Sequence, residues 1–213
     1  MKRMLFFLFV AVVSMNGLAQ KFVGYSDRTT VYEKYQPARI TLYNGKVIMQ
    51  KEANVFLKNG RLLFKKGMFD MVADMAPIQT VEFADRQYVK VDTILATVID
   101  TLGGNRVLCT TTIDMAAYNS RAVNDRVITS LQFSGDQIGS TDIDLSAGNK
   151  QYPLVNNYFF EIEGKIVELH ERTIRRLLPK KKRERFDFYL QMPEFDWFDK
   201  SSLHKILELF VEE

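Results

Sequence analysis

The densest chemistry in this chain is basic. Between Glu171 and Arg185 stand eight cations, Arg172, Arg175, Arg176, Lys180, Lys181, Lys182, Arg183 and Arg185, against two acids. Such a run can hold phosphates or an anionic membrane surface. It is followed by Asp187, Glu194, Asp196, Asp199, Glu208, Glu212 and Glu213, and opposite charges on adjoining helices can offset one another. A solvated helix face is the favoured reading. The eight cations are the candidate binding residues that the sequence singles out.

Metal and nucleophile chemistry is thinly provided for. His170 and His204 are the two histidines and Cys109 is the single thiol, with no H-x-x-x-H or C-x-x-C spacing to gather a zinc ion. No G-x-S-x-G elbow and no phosphate-cradling glycine loop is present. Cys109 sits at a strand-like position in RVLCTTTI, where a buried, inert thiol is favoured over a reactive one. Both histidines lie in the helix-rich end, where a surface role is favoured. The segment Asp142 to Ser146 places oxygen ligands at alternate positions, but Ala147 and Pro153 stand where a calcium loop needs glycine and a distant glutamate. No metal, cofactor or catalytic residue is assigned.

Paired carboxylates are the enzymatic possibility that survives. Glycoside hydrolysis needs two acids roughly 5 to 9 Å apart across the bond. Asp70 with Asp74, Glu82 with Asp85, or Asp142 with Asp144 are the available pairs. Phe186, Phe188, Tyr189, Phe195, Trp197 and Phe198 form an aromatic cluster that suits a stacking platform, although helical spacing favours packing against a sheet.

The elements that must position these groups fall into two textures. Period-2 patterns run through most of the chain, beginning with one strand around Thr29 to Tyr35 that Pro37 closes. Ala38 to Tyr43 and Lys46 to Gln50 flank Asn44-Gly45, and Asn54 to Lys58 and Arg61 to Lys66 flank Asn59-Gly60. Asn-Gly tolerates the two positive φ values of a type I′ turn, so two successive hairpins are predicted. Phe69 to Met75 reads as a brief strand or turn. Ile78 to Phe83, Gln87 to Val91, Ile94 to Asp100 and Arg106 to Ile113 read as further strands. Met115 to Asn124 fits a helical turn or a surface loop. Arg126 to Phe133 reads as a strand and the Gly- and Ser-rich start of Ser134 to Lys150 as a loop. Leu154 to Ile162 and Lys165 to Leu169 make a last hairpin around Glu163-Gly164.

From Glu171 the spacing becomes helical. Ile174, Leu177 and Leu178 share one face, and Pro179 breaks that helix and can start the next. Lys180 to Gln191 follows, until Pro193 stops it. Leu203, Ile206, Leu207 and Phe210 repeat at helical spacing in a final helix that Ser201 or Ser202 can cap. Strands first and helices last predict an α+β, mainly β fold: an antiparallel meander or sandwich-like sheet over 20–169, with a C-terminal cluster of short helices over 170–213 packed on it.

The N-terminus bears on location. Lys2 and Arg3 precede an unbroken apolar run, Met4 to Val13, and Gly17 and Ala19 sit at −3 and −1 of a small-x-small cleavage site before Gln20. That pattern predicts a cleavable secretory signal over residues 1–19. The run is shorter than the roughly 20 residues that span a bilayer, so no transmembrane segment is expected after cleavage. The formal charge of +3 falls to +1 once Lys2 and Arg3 are lost, which offers no global drive toward nucleic acid. The single cysteine permits no intrachain disulfide, so an apolar core must hold the fold.

The C-terminal third carries a resemblance. Tyr158 to Phe160, Gly164-Lys165, Leu177-Leu178-Pro179, Lys180 to Lys182 and Leu203 to Phe210 resemble the ending of many exported Bacteroidota proteins, a family of unknown function. Here Pro179 follows the leucine pair directly, where those endings carry a spacer. The meander from Ile40 to Asp92, with its Tyr-Asn-Gly and Leu-Lys-Asn-Gly turns, and a leader ending in Ala-Gln are similar to the same group. The resemblance implies an envelope or secreted location and transfers no catalytic residue. The expectation is a periplasmic or secreted, non-enzymatic protein that binds a partner in the envelope or outside it. A glycan-acting hydrolase built on a carboxylate pair and an anionic-surface binder using Arg172 to Arg185 are the alternatives.

Overall fold

The computed structural model describes residues 20–124 and 151–211. Among them the chain forms β1 (Gln20–Ser26), β2 (Gln36–Leu42), β3 (Val47–Phe56), β4 (Arg61–Lys66), β5 (Phe69–Val72), β6 (Ile78–Glu82), β7 (Gln87–Val91), β8 (Ile94–Leu102) and β9 (Asn105–Ile113). Helix α1 (Met115–Asn124) comes next, then β10 (Tyr152–Ile162) and β11 (Lys165–Glu168). The helices α2 (Glu171–Leu177), α3 (Lys180–Gln191) and α4 (Lys200–Val211) end the chain. The predicted α+β, mainly β class with a C-terminal helical cluster is the observed one.

All strands join one antiparallel sheet in the order β1-β10-β9-β8-β7-β6-β2-β3-β4-β5, with β11 beside β10. Two meanders, β2 to β5 and β6 to β10, meet where β2 pairs with β6. Register shifts bend the sheet at Phe22/Gly24, Gln36/Ala38, Thr41/Leu42 and Val98/Asp100. It curls until its far parts touch: Leu95 N donates to Gly60 O at 2.8 Å, and Ile113 N donates to Leu57 O at 2.7 Å. The curl encloses a core that includes Ile40, Val55, Leu62, Val81 and Tyr88. A second core lies between the sheet and the helices, where Val107 and Phe160 meet Ile174, Phe186, Leu203 and Ile206. Each is fully or almost fully buried, which is why the apolar helix face predicted from spacing docks here.

Local details correct several expectations. The strand expected at Thr29 to Tyr35 is not formed; β1 lies earlier, and Thr30 makes only an isolated bridge to Phe56. That segment is held by side chains instead: buried Asn54 accepts from Tyr32 N at 3.0 Å and donates to Tyr32 O at 2.9 Å. Pro37 does not end a strand but sits inside β2, at the register shift where a missing N–H is tolerated. The Asn-Gly hairpins form without type I′ geometry. Asn44 and Asn59 keep negative φ, their carboxamide oxygens accepting from Lys46 N and Arg61 N, and only the glycines enter the left-handed region. Two consecutive positive φ values occur instead at Gly103-Gly104 and at Glu163-Gly164. Asp199, and not Ser201 or Ser202, caps α4, its Oδ2 accepting from Ser202 N at 2.9 Å, while buried Ser202 accepts from Asp196 N. Met115 to Asn124 is helical, with Asp114 accepting from Ala117 N. The leader 1–19, the Arg126 to Phe133 strand and the Ser134 to Lys150 loop lie outside the described residues.

Candidate functional site

The eight cations do not act as one surface. Arg175 is spanned by Glu171 at 2.9 Å and Asp187 at 2.7 Å. Lys182 donates to Leu209 O near the end of α4, and Arg183 donates to Leu178 O at the end of α2. Arg185 lies against the Tyr189 ring and donates to its hydroxyl at 2.7 Å. The first three tie helices together, and Arg185 is engaged within α3 itself. Arg172, Arg176, Lys180 and Lys181 remain exposed, and their side chains make no hydrogen bond or ion pair among the described residues. His170 caps α2 through Nδ1, and His204 Nδ1 lies 2.6 Å from Asp100 Oδ2.

The carboxylate pairs are dispersed as well. Asp74 holds its own turn through Ala76 N, Glu82 stands 4.0 Å from Arg39, and Asp85 accepts from Tyr32 Oη at 2.6 Å and Arg86 Nε at 3.0 Å. Asp70 sits half-buried in β5. Asp142 and Asp144 lie outside the described residues. Of the aromatic cluster, Phe186 and Tyr189 are buried, Phe195, Trp197 and Phe198 are half-buried, and Phe188 is exposed. Most of it packs on the sheet, as its spacing predicts. Cys109 is buried in β9, and burial pushes its thiol up to about 11.

A concave feature among the described residues lies elsewhere, and sequence reasoning missed it. A recess of about 350 Å³ opens between the Tyr25–Val31 segment, the ends of β3 and β10, and the surface of β7, β8 and β9. Val31, Val55, Leu57, Leu95 and Leu154 supply apolar walls. Asp27, Arg28, Arg86, Tyr88, Thr97 and Thr111 supply polar ones. The curl of the sheet creates it: the bond from Leu57 N to Thr29 O and that from Val31 N to Val55 O press the irregular segment over the barrel-like wall.

Its electrostatics are uneven. Arg28 donates through Nε to Asp27 at 2.9 Å and holds that carboxyl below its ordinary pKa. Arg86 is fixed through Nε on Asp85, lies over the Tyr32 ring and stands beside the Tyr88 hydroxyl. Tyr88 is 3% exposed, and its hydroxyl makes no hydrogen bond of full geometry among the described residues, although Thr97, Arg86 and Tyr32 stand close enough to interact with it and partly offset its burial. Burial raises its pKa, so it is a neutral donor at physiological pH. Two Asp-Arg dipeptides, at Asp27-Arg28 and Asp85-Arg86, deliver the two guanidinium groups, each steadied by the carboxylate before it. A third Asp-Arg dipeptide, Asp125-Arg126, lies outside the described residues, so the repetition alone does not mark this place.

The arrangement offers a buried, weakly paired hydroxyl and a guanidinium at the mouth of an apolar hollow. It presents one carboxylate, Asp27, and no three His, Cys, Asp or Glu side chains converge to hold a metal ion among the described residues. Searches with protein-family models, curated proteins and solved structures return no match for this chain.

Proposed function

We propose that this is an exported, non-enzymatic binding protein of the cell envelope or its exterior, and that the recess beside Tyr88 takes a small ligand with one anionic group and an apolar body. The observation that carries the reading is the buried Tyr88 hydroxyl, which makes no hydrogen bond of full geometry among the described residues and lies beside the Arg86 guanidinium at the wall of the recess. A buried donor left wholly unpaired costs about 1–3 kcal/mol and a weakly paired one part of that, and a ligand oxygen removes the cost while pairing with the guanidinium. The apolar walls suit a short hydrocarbon body. Export is supported by the charged start, apolar run and small-residue exit of residues 1–19, and by the resemblance to exported Bacteroidota proteins. No helix among the described residues is long and apolar enough to cross a membrane.

Calorimetric titration tests the binding reading with three probes of equal chain length: hexanoate, hexylamine and hexanol. Hexanoate should bind, hexylamine should not, and hexanol should bind more weakly. Tyr88→Phe should weaken hexanoate about tenfold while leaving stability unchanged or raised by up to ~1 kcal/mol, because it deletes a weakly paired polar group. Equal binding of all three probes, or a clear loss of stability in Tyr88→Phe, overturns the reading. N-terminal sequencing of the protein recovered after export should begin at Gln20.

A further inference from the structure

Exposed apolar side chains gather at one end of the sheet. Of fourteen large hydrophobic residues exposed among the described residues, Tyr43, Val47, Ile48, Met49, Met68, Phe69 and Met71 make up half. Their proximity follows from register. β4 pairs with β3 only over Ala53 to Phe56, and runs antiparallel to it. The β4–β5 turn at Gly67-Met68 therefore projects toward the same end of the sheet as the β2–β3 turn, level with the first half of β3, where Gln50 Nε2 donates to Lys65 O at 3.5 Å. The first half of β3 is paired on one side only, by β2, and its outer edge is open.

Met68 is 94% exposed and Phe69 68% exposed at the tip of that turn. Lysines surround them: Lys46, Lys51 and Lys66 are exposed, and Lys65 leans over the Tyr35 ring. Lys90 covers Tyr43 and donates to Met75 O and Ala76 O. The nearby acids are Glu52, half-buried Asp70 and Asp74, the last engaged with Ala76 N. Lysines along an open edge repel an identical edge from a second copy, but they do not account for a methionine and a phenylalanine held out in water at a turn tip. Apolar tip residues ringed by lysines match a surface that is apolar below and anionic above.

We propose that the two adjacent hairpin tips, Tyr43–Met49 and Lys65–Met71, dock this protein on an anionic lipid bilayer, with Met68 and Phe69 entering the acyl boundary and Lys46, Lys51, Lys65 and Lys66 engaging headgroups. The site lies apart from the recess at Tyr88 and stands whether or not that recess binds a ligand.

Vesicle co-sedimentation tests it, using the protein as recovered after export. The vesicles are pure phosphatidylcholine, or phosphatidylcholine with about one third phosphatidylglycerol, which sets the negative surface potential. The protein should bind the anionic vesicles, bind neutral ones weakly, and lose binding as salt rises. M68S/F69S should lower partitioning at least tenfold, and Lys66→Gln about fivefold, with unchanged circular dichroism because these side chains are exposed. K180E/K181E and Tyr88→Phe should leave vesicle binding intact. Full binding by M68S/F69S, or loss in K180E/K181E alone, overturns the proposal. So does dimerisation that M68S/F69S abolishes in a protein that ignores both vesicles.

Discussion

Asn54 is the pin on which the recess hangs, and its removal has a calculable cost. The side chain is fully buried in β3, accepts from Tyr32 N at 3.0 Å and from Val55 N at 2.9 Å, and donates to Tyr32 O at 2.9 Å. It is the bracket that holds an irregular segment, which forms no strand of its own, against the sheet. Asn54→Ala deletes two bonds to Tyr32 and one to Val55, leaving amide groups to find water in a crowded place. At about 1 kcal/mol per net hydrogen bond, plus the unfilled volume, the loss is about 2–4 kcal/mol. Asn54→Asp keeps the shape and the accepting oxygen but turns the donor toward Tyr32 O into a second acceptor. A carboxylate there is buried without a cation, so its folded pKa must rise above the unfolded value of about 3.9. A raised carboxylate pKa means the variant is closest to wild type below about pH 4, where the acid is neutral and can donate. The penalty then grows as pH rises through the folded pKa. Urea unfolding read by circular dichroism and by the single tryptophan, Trp197, from pH 3.5 to 8 measures both effects. A loss below about 0.5 kcal/mol in Asn54→Ala, or a pH-independent difference between Asn54→Asp and wild type, refutes the reasoning.

Other perturbations follow from single contacts. Gly60 has φ +68°, and an added Cβ would lie 2.8 Å from Ile94 Cβ, so Gly60→Ala should cost about 2 kcal/mol or more in urea unfolding. Cys109 is buried with its thiol pushed up to about 11, so the native protein should react with a thiol reagent at pH 7.5 at least about 100-fold more slowly than the unfolded chain. Asp85 is held below its ordinary pKa chiefly by the hydroxyl of Tyr32. Its contribution to stability is thus present above the ordinary carboxylate range and lost as pH falls through the depressed value. Tyr32→Phe should move the Asp85 carboxyl resonance titration upward and flatten that acid-side loss.

The elements were legible where periodicity and turn chemistry agree. Leu203, Ile206 and Leu207 announce α4, and both Asn-Gly pairs announce hairpins, because one-sided burial leaves a period in the chain. The turn type was not legible, since the asparagine side chains bond locally at negative φ and leave the left-handed backbone to glycine alone. The cap of α4 was misread because a buried Ser202 and a capping Asp199 are indistinguishable by composition. Gln20 to Tyr35 was misplaced because the pairing of β1 is with β10, distant in the chain, and because Asn54 supplies the bonds that a strand would otherwise need. The same long-range closure explains why the recess was missed. Arg28 meets Arg86 and Tyr88 only because the sheet curls, and no local pattern reports curvature. The basic run, conspicuous in sequence, is half consumed by Asp187, Leu209, Leu178 and Tyr189.

A high-resolution crystal structure of the protein soaked in hexanoate addresses the binding claim at its root. The carboxylate should lie between Tyr88 Oη and the terminal nitrogens of Arg86, with the hydrocarbon chain against Leu95 and Leu154. A Tyr88 hydroxyl already bonded to a protein atom, in a recess that excludes the probe, would contradict the account.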